Sequence, residues 1–157
     1  MKIALITIGK TRESYLIDAI NDYMKRLSHY NRLDMYELPS IKKSNKLSVS
    51  SLIFYESELI SKQLNKTDYV ILLDEKGQGV SSLQFANKLN NWFCMSKKRL
   101  VFVIGGAYGF SKSLDNIADI KLSLSKMTFS HQMIRLIFLE QLYRAFTILN
   151  NQPYHNK

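Results

Sequence analysis

Two stretches, "YVILL" at 69–73 and "LVFVI" at 100–104, are apolar at nearly every position. A strand with one face in water alternates apolar with polar side chains, whereas a strand covered on both faces need not. Both runs are short and bounded by polar or glycine residues. They read as strands of a parallel sheet buried between two layers. Parallel neighbours need long crossovers, and the chain supplies them. Glu13–Tyr30 carries Leu16, Ala19, Ile20, Tyr23, Met24 and Leu27 at helical spacing. Ser51–Leu64 reads as a second helix, and Ser82–Met95 sets Phe85, Leu89, Trp92 and Phe93 on one side of a third. Ile3–Ile8 is a strand ending at Gly9, Leu33–Leu38 a strand stopped by Pro39, and Lys121–Leu124 a short fifth strand. The polar, lysine-bearing Ile41–Ser51 reads as a mobile loop. The expected class is α/β, a mainly parallel sheet flanked by helices, in one domain over residues 1–157.

Composition then removes several function classes. No run approaches the ~18 apolar residues of a membrane span. The apolar run Ile3–Ile8 is shorter than the roughly 7–15 residues of a signal-peptide core, so a cytoplasmic protein with no membrane contact is expected. Cys94 is the only cysteine, which excludes an intrachain disulfide and a cysteine metal cluster. Its apolar setting, "NNWFCM", predicts packing in the core. His29, His131 and His155 lack metal-ligand spacing, and no metal is expected. A net charge of +9 draws phosphates. Charge alone leaves nucleic acid and no particular partner equally open.

Glycines cluster just past the strands: Gly9, then Gly77 and Gly79, then Gly105, Gly106 and Gly109. In open α/β sheets ligands bind beyond the carboxyl ends of strands, so these loops nominate one sheet edge as the site. In "VFVIGGAYGFS" the glycines permit close backbone approach to a ligand, or only a tight turn. The spacing G-x-G-x-x-G is absent, as are the P-loop pattern and a G-x-S-x-G elbow. The usual nicotinamide, nucleoside-triphosphate and serine-hydrolase readings fail on those specifics.

The C-terminal third is the most unusual part. Ser130 is placed to cap a last helix running to about Asn150. That helix carries Met133, Ile134, Leu136, Ile137, Phe138, Leu139, Leu142, Tyr143, Phe146 and Ile148. A helix apolar all round is a buried one. One face can pack on its own sheet, and a second subunit is the simplest cover for the other. Glu140 and Arg144 are i,i+4 neighbours in the favourable order, which predicts an ion pair. The loop Ser125–Phe129 before the helix offers hydroxyls and backbone groups but no acid. Such a loop can hold an uncharged or adenine-like group.

Four segments carry a resemblance: "MKIALITIGK" at the start, "LLDEKGQGVSS" at 72–82, "FVIGGAYGFS" at 102–111 and "LSLSKMTFSHQMIRLIFLEQLYRAFTILNNQPYH" at 122–155. With them the chain resembles the ribosomal large subunit methyltransferase H family, of the SPOUT class of RNA methyltransferases, over essentially its whole length. The resemblance implies a SPOUT-type α/β fold with a C-terminal trefoil knot, which sequence reasoning alone would reject. It implies a homodimer. It also implies methyl transfer from S-adenosyl-L-methionine to N3 of the pseudouridine at position 1915, in the helix 69 loop of 23S rRNA within the assembled 70S ribosome. Carried over by motif, the cofactor contacts are Leu73, Gly105, Leu124, Ser125, Lys126, Met127, Thr128 and Phe129. Some relatives carry proline near the turn into the last helix, where this chain has Ser130 before His131 and Gln132 after it.

The implied reaction needs alignment of donor and acceptor, and a base or cation for the imide proton. Candidates are His131, Arg135, Glu140, Arg144, Tyr154 and His155. His131, near a helix N-terminus, is expected to have a lowered pKa. The tail "QPYHNK" is expected to take part in substrate recognition across the dimer. Three rival readings are a SPOUT enzyme with another RNA target, an assembly factor with a vestigial pocket, and a nicotinamide oxidoreductase.

Overall fold

All of the strand pairings in the sheet are parallel. A computed structural model describes residues 1–42 and 44–155. Strands β1 (Lys2–Ile8), β2 (Leu33–Leu38), β3 (Asp68–Gly79), β4 (Arg99–Ile104) and β5 (Ile120–Ser123) stand in the order β2-β1-β4-β3-β5. Helices α1 (Ser14–Leu27), α2 (Val49–Ser61), α3 (Ser82–Phe93) and α4 (Lys112–Ile117) connect them, and α5 (Met133–Leu149) follows the last strand.

The period-two geometry of a strand sends successive side chains to opposite faces. Ile3, Leu5, Ile71, Leu100, Phe102 and Ile104 therefore meet α1, α3 and α5 on one side. Ala4, Ile6, Val70, Leu72, Val101 and Val103 meet Ile60 of α2 and Leu114 of α4 on the other. This is why the two runs need no polar positions. Phe102 anchors the larger core, with ring centroids 4.6 Å from Phe138, 6.1 Å from Trp92 and 6.2 Å from Phe85. Such edge and tilted geometries suit the aromatic quadrupole.

Several elements differ from the sequence expectation. β3 does not stop at Leu73 but continues through "DEKGQG" to Gly79. Leu73 and Gln78 both pair with Leu122, so the extra residues form a bulge against β5. Gly77 thus lies inside the strand rather than past it. A Cβ there would sit 2.7 Å from the backbone of Lys121 and Leu122, so only glycine lets β5 approach. α2 begins at Val49 because the Ser48 hydroxyl accepts the Ser51 N–H at 3.2 Å. The expected loop 41–51 holds a short turn at Ser44–Lys46 as well as the start of α2, and Lys43 lies outside the described residues. α4 was not foreseen. Six residues are too few to show a hydrophobic period, but Ser111 caps them by accepting the Leu114 N–H at 3.3 Å.

Cys94 is a correction. α3 ends at Phe93, and Cys94 is exposed at its C-cap rather than packed in the core. The Ser130 hydroxyl does accept the Met133 N–H, at 3.2 Å, and the helix starts at Met133. Every residue of α5 is buried or half-buried, with Phe138, Leu139 and Leu142 fully so. Among the described residues no helix is long and apolar enough to cross a membrane, and no group of three metal-ligating side chains converges. Asn156 and Lys157 of the tail lie outside the described residues.

Candidate active-site cleft

The carboxyl ends of β3, β4 and β5 frame a cleft of about 560 Å³. That size suits a small-molecule site. Its floor is apolar, from Leu73, Ile104, Leu122 and Leu124. One wall is the turn that leaves β4. Gly109, at φ +83°, donates its N–H to the Gly106 carbonyl at 3.3 Å and closes the turn. A Cβ on Gly105 would meet the Phe110 ring at 2.9 Å. A Cβ on Gly106 would fall within 2.7 Å of Glu56 Oε1 and closer still to Oε2. Glu56 is buried beneath this turn, and among the described residues its Oε2 has no hydrogen-bond partner. Burial pushes that carboxyl above the usual range.

The opposite wall is the loop after β5. The Ser123 hydroxyl donates to the Ser125 carbonyl at 2.9 Å, and the Ser125 hydroxyl accepts the Met127 N–H at 2.9 Å. The Thr128 hydroxyl donates to Glu75 Oε2 at 2.9 Å and so ties the loop to β3. These local bonds fix the loop and leave Met127 and Phe129 standing exposed at the cleft. Of the residues carried over from the resemblance, Leu73, Gly105, Leu124, Ser125, Met127, Thr128 and Phe129 line the cleft, and Lys126 does not.

The sequence reading missed the acids. Asp74, Glu75 and Asp115 stand in the lining beside Lys76 and Lys121. Lys121 Nζ lies 2.7 Å from Asp115 and 3.8 Å from Asp74. A signal was available: "LLDEKG" places two acids directly after a buried apolar run. Three carboxylates against two lysines suit a ligand with positive charge better than a polyphosphate. With the glycine-cleared wall and apolar floor, the lining fits a nucleoside bearing a cationic chain.

The candidate catalytic residues fall into two groups. His131 lines the cleft mouth. Partial desolvation, then the charges of Arg135 and Arg12, push its imidazole below the ordinary histidine value. The direction matches the expectation, and burial followed by those two charges accounts for it. Arg135 is fully buried and does not line the cleft. Its guanidinium donates to the carbonyls of His131 at 3.0 Å and Ile8 at 2.7 Å. It also donates to Thr11 Oγ1 at 2.9 Å and Glu37 Oε1 at 3.1 Å. It ties the start of α5 to the ends of β1 and β2.

Glu140, Arg144, Tyr154 and His155 form a second cluster that does not line the cleft of their own chain. Arg144 Nη2 donates to Glu140 Oε1 at 2.5 Å, the expected i,i+4 pair. The Arg144 guanidinium carbon lies 4.8 Å from the Tyr154 ring centroid, and His155 Nδ1 is 3.4 Å from Arg144 Nη1. Tyr154 donates to Glu140 at 3.2 Å and meets the Tyr23 hydroxyl at 3.2 Å. Burial, Tyr23 and then Glu140 raise the phenol well above its usual range.

Comparison with known proteins agrees with this architecture. The family model described as "Predicted SPOUT methyltransferase" matches residues 1–155. A protein of Parabacteroides distasonis named ribosomal RNA large subunit methyltransferase H is 54% identical over 157 residues, covering 100% of both chains. The protein of the same name in Flavobacterium johnsoniae is 52% identical, again over 100% of both. Among solved structures, the tRNA (m1G37) methyltransferase of Aquifex aeolicus matches with a TM-score of 0.58 at 13% identity. The match covers 100% of this chain and 76% of that one, and speaks for the fold alone.

Proposed function

The chain belongs to the SPOUT methyltransferase family, and we propose that it methylates large-subunit ribosomal RNA with S-adenosyl-L-methionine as donor. The observation that carries this reading is the cleft at the ends of β3, β4 and β5. It is lined by the motif residues Leu73, Gly105, Leu124 and Thr128. The name shared by relatives about half identical over the full length supports the rRNA substrate. The finer target is N3 of the pseudouridine in the helix 69 loop of 23S rRNA, on the assembled ribosome in the cytoplasm. The strand order, with β3 between β4 and the late edge strand β5, fits a C-terminal trefoil knot within one domain.

Bound donor would supply an activated methyl group. Leu73, Leu122 and Leu124 would hold its flat apolar part. The Gly105–Gly106 backbone would lie against it, and Asp74 and Glu75 would face its positive charge. His131, kept neutral near pH 7 by its lowered pKa, is the candidate best placed in its own chain to accept the imide proton at its free ring nitrogen. Arg144, Tyr154 and His155 would reach a cleft from the partner of a homodimer. Met133 and Ile137, half-buried on α5 yet outside its packed core, are the residues a second α5 would cover.

Isothermal titration with S-adenosyl-L-methionine, followed by methylation of purified 70S ribosomes, tests the proposal. Wild type should bind and methylate, and Gly105→Val should do neither while keeping a folded circular dichroism spectrum, with a Tm lowered by the push on Phe110. Binding without methylation would favour another RNA target. No binding and no methylation would favour an assembly factor with a vestigial pocket.

A further inference from the structure

The loop between β1 and α1 carries a cation that the cleft lining does not include. Arg12 donates its backbone N–H to Gln132 Oε1 at 3.0 Å, one residue after His131. Its neighbour Thr11 donates its N–H and its hydroxyl to Glu37 Oε1 at 2.8 and 2.7 Å. Glu37 and Thr11 are held in turn by the buried guanidinium of Arg135. The backbone at Arg12 is therefore pinned from β2 on one side and from the start of α5 on the other. The side chain is exposed. Among the described residues it enters no ion pair and donates no side-chain hydrogen bond. Here the backbone is bonded to Gln132, the neighbour of the cleft-lining His131, while the guanidinium is left exposed.

We propose that Arg12 is a substrate-contacting residue that grips a phosphate of the RNA beside the nucleotide entering the cleft. This rests on the RNA methyltransferase reading above. The guanidinium fork matches two phosphate oxygens, and a pinned backbone reduces the entropy lost on engagement. Its contribution belongs to RNA docking rather than to the donor, because Arg12 is absent from the lining.

The test uses full-length wild type, Arg12→Gln and Arg12→Lys. It reads steady-state methylation of purified ribosomes over a range of ribosome and salt concentrations, together with titration of S-adenosyl-L-methionine. Arg12→Gln should raise KM for ribosomes roughly 10- to 100-fold. It should keep kcat and donor affinity within about twofold, and lower the salt slope of log KM by about 1. Arg12→Lys should recover only part of the loss, because the ammonium keeps the charge but lacks the two-pronged fork. A KM within about twofold of wild type would overturn the inference, as would parallel loss of donor binding, which marks a structural role. An inactive wild type would overturn the parent reading instead, and this inference with it.

Discussion

Replacing Arg135 by methionine isolates the clamp behind the cleft. Methionine keeps most of the stem's packing and removes the guanidinium. Four hydrogen bonds go, to Ile8, Thr11, Glu37 and His131. The Ile8 carbonyl, bonded at 2.7 Å in a buried setting, is then left without this donor, which costs ~1–3 kcal/mol. Glu37 stays 30% exposed at its side chain, so water replaces part of what it loses. That keeps the total below the ~3–5 kcal/mol of a fully buried broken pair. A loss of about 3 kcal/mol follows, or about 6–12 °C in Tm at this chain length. Urea unfolding followed by circular dichroism gives the free energy, and a thermal scan gives Tm. A loss below about 1 kcal/mol would refute the reasoning, since the guanidinium would then be replaceable by solvent.

Other substitutions probe single features. Gly77→Ala should cost about 2 kcal/mol or more by pushing β5 off β3, seen as a lowered urea midpoint; an unchanged midpoint would contradict the bulge packing. Glu56 has a folded-state pKa raised by burial, so its stability contribution is fully present below the unfolded value, near ~4.3, and is lost as pH rises through the folded one. Glu56→Gln should therefore be more stable than wild type at pH 7 and lose that advantage by about pH 4, which unfolding at both pH values decides. A double-mutant cycle of Arg144→Ala and Tyr154→Ala should show a coupling of about 0.5–1 kcal/mol from the ring contact and the Glu140-centred network. Strict additivity would mean that the tail is not held there.

How much of this was legible in the sequence depends on the range of the forces involved. The buried strands declared themselves because two-sided burial suppresses polar residues over a whole segment, as in Val101–Ile104. The loop at 124–129 was reached through a motif, and the structure shows Ser125 bonding within two residues while Thr128 reaches across to Glu75 on β3. The buried position of Arg135 was not legible for the opposite reason. Its partners Ile8, Thr11 and Glu37 are about a hundred residues away or more, and no local pattern distinguishes a buried clamp from an exposed cation. Gly77 was read as a loop glycine because nothing nearby shows that β5 passes 2.7 Å from its missing Cβ. Asp74 and Glu75 were visible as letters, but only the bulge in β3 turns them toward the cleft.

The strand order also bears on how the molecule comes into being. β1 pairs with β2 and β4, while β3 pairs only with β4 and β5. A nascent chain that has emerged through α3 therefore holds a two-stranded fragment and one unpaired strand with no ladder between them. β4 is the keystone that joins the halves, and β5 completes the floor of the cleft. Synthesis at roughly 5–20 residues per second thus leaves an interval in which β1 and β3 present open edges. A product that stops before β5 has neither a finished sheet nor a framed cleft, so the site can form only after residues through Ile134 have been made.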